Sequence, residues 1–323
     1  MSTVLSRVRH GAIVACGAVA IAGLSSAPAL AWKPTKEVKL IIHTAGATSD
    51  INNFVREVEK ILDPKLPDGA DAVNMPGGGG DRARRYVLSK KGNPNVLQGV
   101  TPSNISRPIL NNANYRATDF TPIAIMVASP LLVVVNAKSP YKSFQDIIDA
   151  AKKNPGKVVQ GGGAVGEVDS LYNAMLTKEA HVKIPFTPFK SKGVTELLGQ
   201  HVDLIMCNPA QADAYVKSGD FRVVATNMAV PLYPKAPTLQ SLGYKFPPIR
   251  QYRGFWAPPG ISKEAQAFWI AELKKVAANK DFKNYVAKHD MLNLFIAGDE
   301  MEKLIKEEQV TYTDLFKKLN LMH

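Results

Sequence analysis

The segment VKLIIHTAGATSD, residues 38–50, constrains the fold more than any other stretch of the chain. Its apolar residues Val38, Leu40, Ile41 and Ile42 form a strand-like run that gives way to a loop of Thr, Gly, Ala and Ser. Ile51, Phe54, Val55, Val58, Ile61 and Leu62 then recur at helical spacing. A strand that feeds a helix through a loop of small residues is the unit from which open α/β sheets build anion pockets. The free N–H groups at the helix start, and the positive end of its dipole, face whatever sits beyond the loop.

Ahead of this unit, Arg7, Arg9 and His10 precede an apolar core over residues 11–24, and Ala29-Leu30-Ala31 supplies an A-x-A site. An export signal at residues 1–31, cleaved after Ala31, is therefore expected, with a periplasmic destination. Its core is too short and too rich in Gly and Ser for an anchor, and no later segment approaches ~18 continuous apolar residues. Cys16 follows Ile13-Val14-Ala15, a weak lipoprotein-like setting, but the apolar run continues past it, which favours cleavage before Trp32. Loss of Arg7 and Arg9 lowers the net charge from +12 to +10. Such a surface suits small acids or an anionic membrane face. The lysines are spread along the chain rather than clustered, which argues against nucleic acid. Cys207 is then the one remaining cysteine, so no intrachain disulfide and no cysteine metal site is expected. It reads as a small buried thiol.

Strand-like and helix-like segments alternate for most of the length, which predicts an α/β fold with a largely parallel sheet. Residues 71–75 and 96–100 read as strands, with a helix over 81–88 between them. The run at 131–135, in PLLVVVNA, reads as a buried strand. Residues 143–153 read as a helix capped by Ser143, with Asp146 three residues on and Asn154-Pro155-Gly156 as its stop. Strands at 158–160, 202–206 and 221–225 and a helix at 170–178 follow, then a Pro-rich irregular stretch at 231–248. The tail is helical: Phe268, Trp269, Leu273 and Val276 share one face, and Met301, Leu304, Ile305, Tyr312, Leu315, Phe316 and Leu319 another. This order suggests two lobes joined by two crossings: residues 32–133 begin the first lobe, 134–248 form the second, and 249–323 return to the first. The strand at 131–135 would be one crossing and the stretch 249–256 the other.

Three loops at the carboxyl ends of predicted strands are candidates for chemistry. In residues 43–50, Gly46 allows close backbone approach, Thr44, Thr48 and Ser49 carry hydroxyls, and Asp50 is placed to cap the helix. His43 reads as a packing or supporting residue rather than a base. In residues 161–169, Gly161, Gly163 and Gly166 match G-x-G-x-x-G. No acid follows about twenty residues on to hold a ribose, so an anion-binding nest is the reading kept. Residues 76–81 hold four glycines without the Gly-Lys-Ser/Thr of a phosphate loop, which makes a flexible turn lining the cleft. No H-E-x-x-H, no G-x-S-x-G and no spaced histidine ligands occur. No cofactor, metal or catalytic residue is expected.

Over nearly the whole mature chain the sequence resembles the Bug-type extracytoplasmic receptors of the tripartite tricarboxylate transporter family. The resemblance is carried by WKPTKEVKLIIHTAGATSD, PLLVVVNAKSPYKSFQDIIDAAKKNPGKV, PFTPFKSKGVTELLGQHVDLIM, AYVKSGDFRVVATN, YPKAPTLQSLGY and GFWAPPGISKEA. It implies a two-lobed periplasmic binding fold, type II-like, closing by hinge motion on a small organic carboxylate for delivery to membrane transporter subunits. The implied binding residues are Thr44, Gly46, Ala47, Thr48, Ser49 and Asp50 in the first loop. In the second they are Gly162, Gly163, Gly166, Glu167, Asp169 and Ser170, with Ser103 and Asn208 beside them. Glu167 departs from the Ser or Thr common there. A charge pair near 4 Å is worth roughly 4 kcal/mol at an effective dielectric of 20, enough to repel a carboxylate. Three roles are open to Glu167: capping its own helix, pairing with Lys190 or Lys192, or selecting an ammonium or hydroxyl on the ligand. The alternatives to a monomeric transport receptor are a receptor for an amino-bearing or non-carboxylate solute, a ligand receptor docking on a sensor kinase, and a periplasmic hydrolase using His43 with Asp50 or Asp169.

Overall fold

A computed structural model of the chain describes residues 32–46, 49–245, 249–318 and 321–322. The expected export signal and its cleavage point, the loop residues Ala47 and Thr48, and Leu319 lie outside the described residues.

The chain runs β1 (Val38–Ile42), α1 (Asp50–Leu62), β2 (Ala70–Asn74), α2 (Asp81–Ser89), β3 (Val96–Val100), α3 (Ser103–Leu110) and β4 (Thr121–Ser129). It continues through β5 (Leu132–Asn136), α4 (Phe144–Lys153), β6 (Gln160–Gly162), α5 (Val168–Glu179), β7 (Phe186–Pro188), α6 (Val194–Leu198), β8 (Leu204–Cys207), α7 (Pro209–Ser218) and β9 (Phe221–Thr226). It ends with β10 (Gln251–Ala257), α8 (Lys263–Ala278), α9 (Lys280–Lys288), β11 (Leu292–Ala297) and α10 (Asp299–Lys318).

Two sheets result, ordered β11-β4-β10-β3-β1-β2 and β7-β6-β8-β5-β9. Alternation along each strand sends neighbouring residues to opposite faces. In β1, Val38, Leu40 and Ile42 meet Phe54, Val55 and Val58 of α1 with Trp269 and Leu273 of α8, while Ile41 turns to the other core. In β5, Val133 and Val135 share a core with Phe144, Ile147 and Leu171, whereas Leu132 and Val134 face Leu197 and Ala212.

The sheets are mixed rather than largely parallel. β1 pairs in parallel with β2 and β3, as does β6 with β7 and β8, but β5, β10 and β11 run antiparallel to every partner. The antiparallel strands are those that enter a lobe from the other lobe or from the tail, where no βαβ crossover sets direction. The first crossing is also shorter than expected. Leu132 already pairs with Cys207 and Thr226, so the chain changes sheet at Pro130 and Leu131, ahead of a boundary at 133. β10 lies wholly in the first sheet, so the second crossing ends before Gln251 instead of extending to Trp256. Around these crossings Leu131 and Asn227 exchange hydrogen bonds of 2.8 and 2.9 Å, and the Tyr172 hydroxyl donates to the Ile249 carbonyl at 2.8 Å. The two crossings are therefore fastened by groups from the second lobe.

Candidate functional site

Both glycine-bearing loops open onto one cavity of about 570 Å³. The first lobe supplies His43, Thr44, Ser49, Asp50, Thr101, Ser103 and Arg253 to its wall; the second supplies Glu167, Asp169, Lys190, Lys192, Cys207 and Asn208. Of the residues expected at the site, Gly46, Gly162, Gly163, Gly166 and Ser170 do not line it, and Ala47 and Thr48 lie outside the described residues.

The first loop is closed by its own polar groups. Ser49, extended at φ −77° and ψ 136°, caps α1 by accepting from the Asn52 N–H at 3.3 Å. Its N–H donates to the Gly46 carbonyl at 3.2 Å, and its hydroxyl lies 2.6 Å from that of Thr44. Asp50 was expected to be the cap but sits one residue inside the helix, so its carboxylate is released to point elsewhere. Oδ2 of Asp50 accepts from Arg253 Nη2 at 2.9 Å and from Asn208 Nδ2 at 2.8 Å. Arg253, 2 % exposed, also donates to the Ser129 hydroxyl at 2.7 Å, at the end of the strand that precedes the first crossing. Asn208 caps α7 with its carbonyl oxygen while its amide reaches across the cleft.

His43 is buried, with Nδ1 3.3 Å from the Gly99 carbonyl. A carbonyl only accepts, so the proton resides on Nδ1. Burial, and then the nearby Arg84 charge, lower its pKa to about 4, so the ring is neutral near pH 7. Its bond to a carbonyl, rather than to Asp50 or Asp169, matches the packing role expected of it. Cys207 borders the cavity as a thiol pushed up to about 12 by burial.

The second loop corrects the nest reading. The N–H groups of Gly163 and Ser170 donate to the Asp169 carboxylate at 2.5 and 2.9 Å, and the Gly166 N–H donates to the Ser170 hydroxyl at 2.9 Å. The chain's own acid thus fills the concavity that a ligand carboxylate was expected to enter. Gly162 is required here, because an added Cβ would stand 2.4 Å from Asp169 Oδ2 and 2.6 Å from the Phe186 ring. Burial raises the Asp169 carboxyl to about 6, opposed by the Gly163 N–H and assisted by the Glu167 charge.

Glu167 takes neither the capping role nor the pairing with Lys190 or Lys192 that the sequence allows. It stands at the N-cap of α5 without a capping bond from its side chain, and its Oε1 lies 3.8 Å from Arg107 Nη2 of the first lobe. Beside it, the Ser106 hydroxyl donates to the Gly166 carbonyl at 2.9 Å. The two lobes therefore meet at both loops. Sequence reasoning missed Arg107, Arg253 and Thr101. For Arg253 a signal existed: a lone charge inside the apolar strand QYRGFWA needs a buried partner. Among the described residues no group of three His, Cys, Asp or Glu side chains could hold a metal ion, and no helix is long and apolar enough to cross a membrane.

Residues 56–321 match the family model described as tripartite tricarboxylate transporter family receptor. A Cupriavidus necator protein, "UPF0065 protein in gbd 5'region", is 27 % identical over 318 residues, covering 94 % of each chain. A TctC solute binding protein from Polaromonas superposes with a TM-score of 0.76 at 22 % identity, covering 88 % of this chain and 99 % of that one. MatC from Rhodopseudomonas palustris, solved with malate, gives 0.72 at 18 % identity over 87 % and 99 % of the two chains. A further R. palustris protein, solved with adipate, gives 0.71 at 21 % over 88 % and 97 %. At these identities the structural likeness establishes the two-lobed fold.

Proposed function

The chain belongs to the tripartite tricarboxylate transporter family of receptors, and from that premise we propose that it captures a small organic carboxylate in the cleft between its lobes and hands it to the membrane subunits of a transporter. It acts as an exported, monomeric, periplasmic protein, cleaved after Ala31, without cofactor and without turnover of its ligand. Malate and adipate, held by two proteins of this fold, are both carboxylates, which supports the same ligand class here.

One observation carries this reading: a cavity of about 570 Å³ walled by hydroxyls from one lobe and ammonium groups from the other. Such a volume suits a small metabolite. Thr44 and Ser49 form a hydroxyl pair at 2.6 Å that keeps one O–H proton for an outside acceptor, whereas the Thr101 hydroxyl, 2.9 Å from that of Ser103, donates to Asn104 Oδ1 at 3.3 Å. Lobes rotating about the crossings at Pro130–Leu131 and before Gln251 would open and close this space. The proposed ligand-binding residues are Thr44, Gly46, Ala47, Thr48, Ser49, Asp50, Ser103, Gly162, Gly163, Gly166, Glu167, Asp169, Ser170 and Asn208. Gly46, Gly162, Gly163, Gly166 and Ser170, which do not line the cavity, act by shaping the loops.

A second reading is favoured by one feature, the pair of acids Glu167 and Asp169 on the cavity wall, which suits a ligand that also bears an ammonium group. A thermal-shift screen of mono-, di- and tricarboxylates and acidic amino acids tests both. Stabilisation by mass action is expected for one class of acid. Shifts only with cations or neutral solutes would overturn the carboxylate assignment.

A further inference from the structure

Binding a carboxylate requires donors, and most donors around this cavity are already engaged. In the second loop the N–H groups of Gly163 and Ser170 are bound to Asp169, that of Gly166 to Ser170, and that of Glu167 to the Ala164 carbonyl. Arg253 directs one terminal nitrogen to Ser129 and the other to Asp50. Arg107 is held at Glu167. Two cations on the wall differ from these: among the described residues, Lys190 and Lys192 enter no ion pair.

Lys192 is the better placed of the two, being half-buried where Lys190 is exposed. It holds the left-handed backbone, at φ 55°, which a residue with a side chain rarely adopts and which clusters at functional sites. Its turn is fixed on both sides. The Phe189 N–H donates to the Gly162 carbonyl at 2.8 Å and the Lys192 N–H to the Phe189 carbonyl at 3.1 Å. Gly193 follows at φ 82°, and a Cβ there would stand 2.8 Å from Ile205 and 3.0 Å from the Gly161 backbone. A rigid turn thus carries an ammonium group into the cavity, and its charge reaches Asp169 on the same wall.

From these contacts we infer that Lys192 is the counter-charge for the ligand's carboxylate, and that the Thr44–Ser49 hydroxyl pair of the opposite lobe holds the ligand's other end. The inference rests on the receptor reading above. It assigns anion recognition in this chain to a side chain and not to the backbone donors of the glycine loop.

The test is calorimetric titration of the mature chain with mono-, di- and tricarboxylates and acidic amino acids, on the parent and on Lys192→Met, Lys192→Gly and Lys190→Met. An acid bound by the parent should lose about 30-fold or more in affinity in both Lys192 variants, and less than about 5-fold in Lys190→Met. Lys192→Gly suits the left-handed backbone, so it keeps the fold if Lys192→Met does not. The bound acid should also shield Lys192 from reductive methylation in the parent. Affinity within about twofold of the parent in Lys192→Gly, or equal labelling with and without the acid, overturns the role of Lys192 alone. A parent that binds no carboxylate overturns this role and the receptor reading together.

Discussion

Replacing Asp50 by alanine should destabilise the protein through an arginine that Asp50 does not neighbour in sequence. Arg253 is 2 % exposed and Asp50 34 %. Removing one partner from a buried pair costs about 3–5 kcal/mol. Solvent reaching Asp50 screens part of this, leaving about 2–3 kcal/mol. The lost Asn208 bond adds about 1 kcal/mol. A total of about 3–4 kcal/mol should lower the melting temperature by about 5–7 °C in a chain of this size. Urea titration gives the free energy directly, and the double variant Asp50→Ala/Arg253→Met isolates the coupling. Removing both charges should cost about 1–2 kcal/mol less than the sum of the single variants, because no unpaired guanidinium then remains. Effects that add to within about 0.5 kcal/mol would refute the argument, since independent groups behave in that way.

Three further outcomes can be checked. The Glu308 carboxyl, held by Tyr252 and Tyr312, is raised by burial to about 8, so the folded state keeps its proton longer than the unfolded chain does. Stability should therefore fall as pH rises from about 4.5 to about 8, by the order of 5 kcal/mol; Glu308→Gln should match the parent at pH 5 and exceed it near pH 8.5, and parallel pH–stability curves would exclude the idea. Gly162→Ala should cost about 1–3 kcal/mol by overpacking against Asp169 and Phe186; an unchanged urea midpoint would mean that the loop yields freely. Glu167→Ser should change stability by less than about 1 kcal/mol, because its pair with Arg107 is long and partly exposed. The same variant should move ligand preference toward plain dicarboxylates, and an unaltered preference would place the Glu167 charge outside the recognition step.

What could be read from sequence was local. The run from Val38 to Leu62 showed its strand, loop and helix because periodicity switches there from strand to helix spacing. Val96–Val100 appears with the expected bounds, and Ser143 with Asp146 forms the expected capping box, because both depend on neighbours within four residues. β4 escaped notice. It is buried on both faces and separated from β5 only by Pro130 and Leu131, so two strands of different sheets merge into one apolar stretch. Periodicity does not say which sheet a doubly buried strand joins. The site was least legible where it depends on distance: Asp50 and Arg253 are 203 residues apart, and Asp50 and Asn208 are 158 apart.

Glu167 seemed hostile to an anion because an unpaired acid beside a carboxylate repels it. Arg107 of the first lobe, 3.8 Å from Glu167 of the second, offsets part of that charge where the lobes meet. Asp50 is balanced by Arg253 of its own lobe and bridged to the second by Asn208. Asp169 is enclosed by N–H groups and partly relieved of charge near its pKa of about 6. Each acid on the cavity wall thus has a compensating group, and the described wall lysines Lys190 and Lys192 enter no ion pair, although the Lys192 charge reaches Asp169. On the proposed reading, closure would offset the Glu167 charge and leave the enclosed field positive beside Lys192. If the proposed reading holds, anion affinity would be coupled to the closed arrangement of the lobes, because parting them would return the Glu167 charge to the cleft.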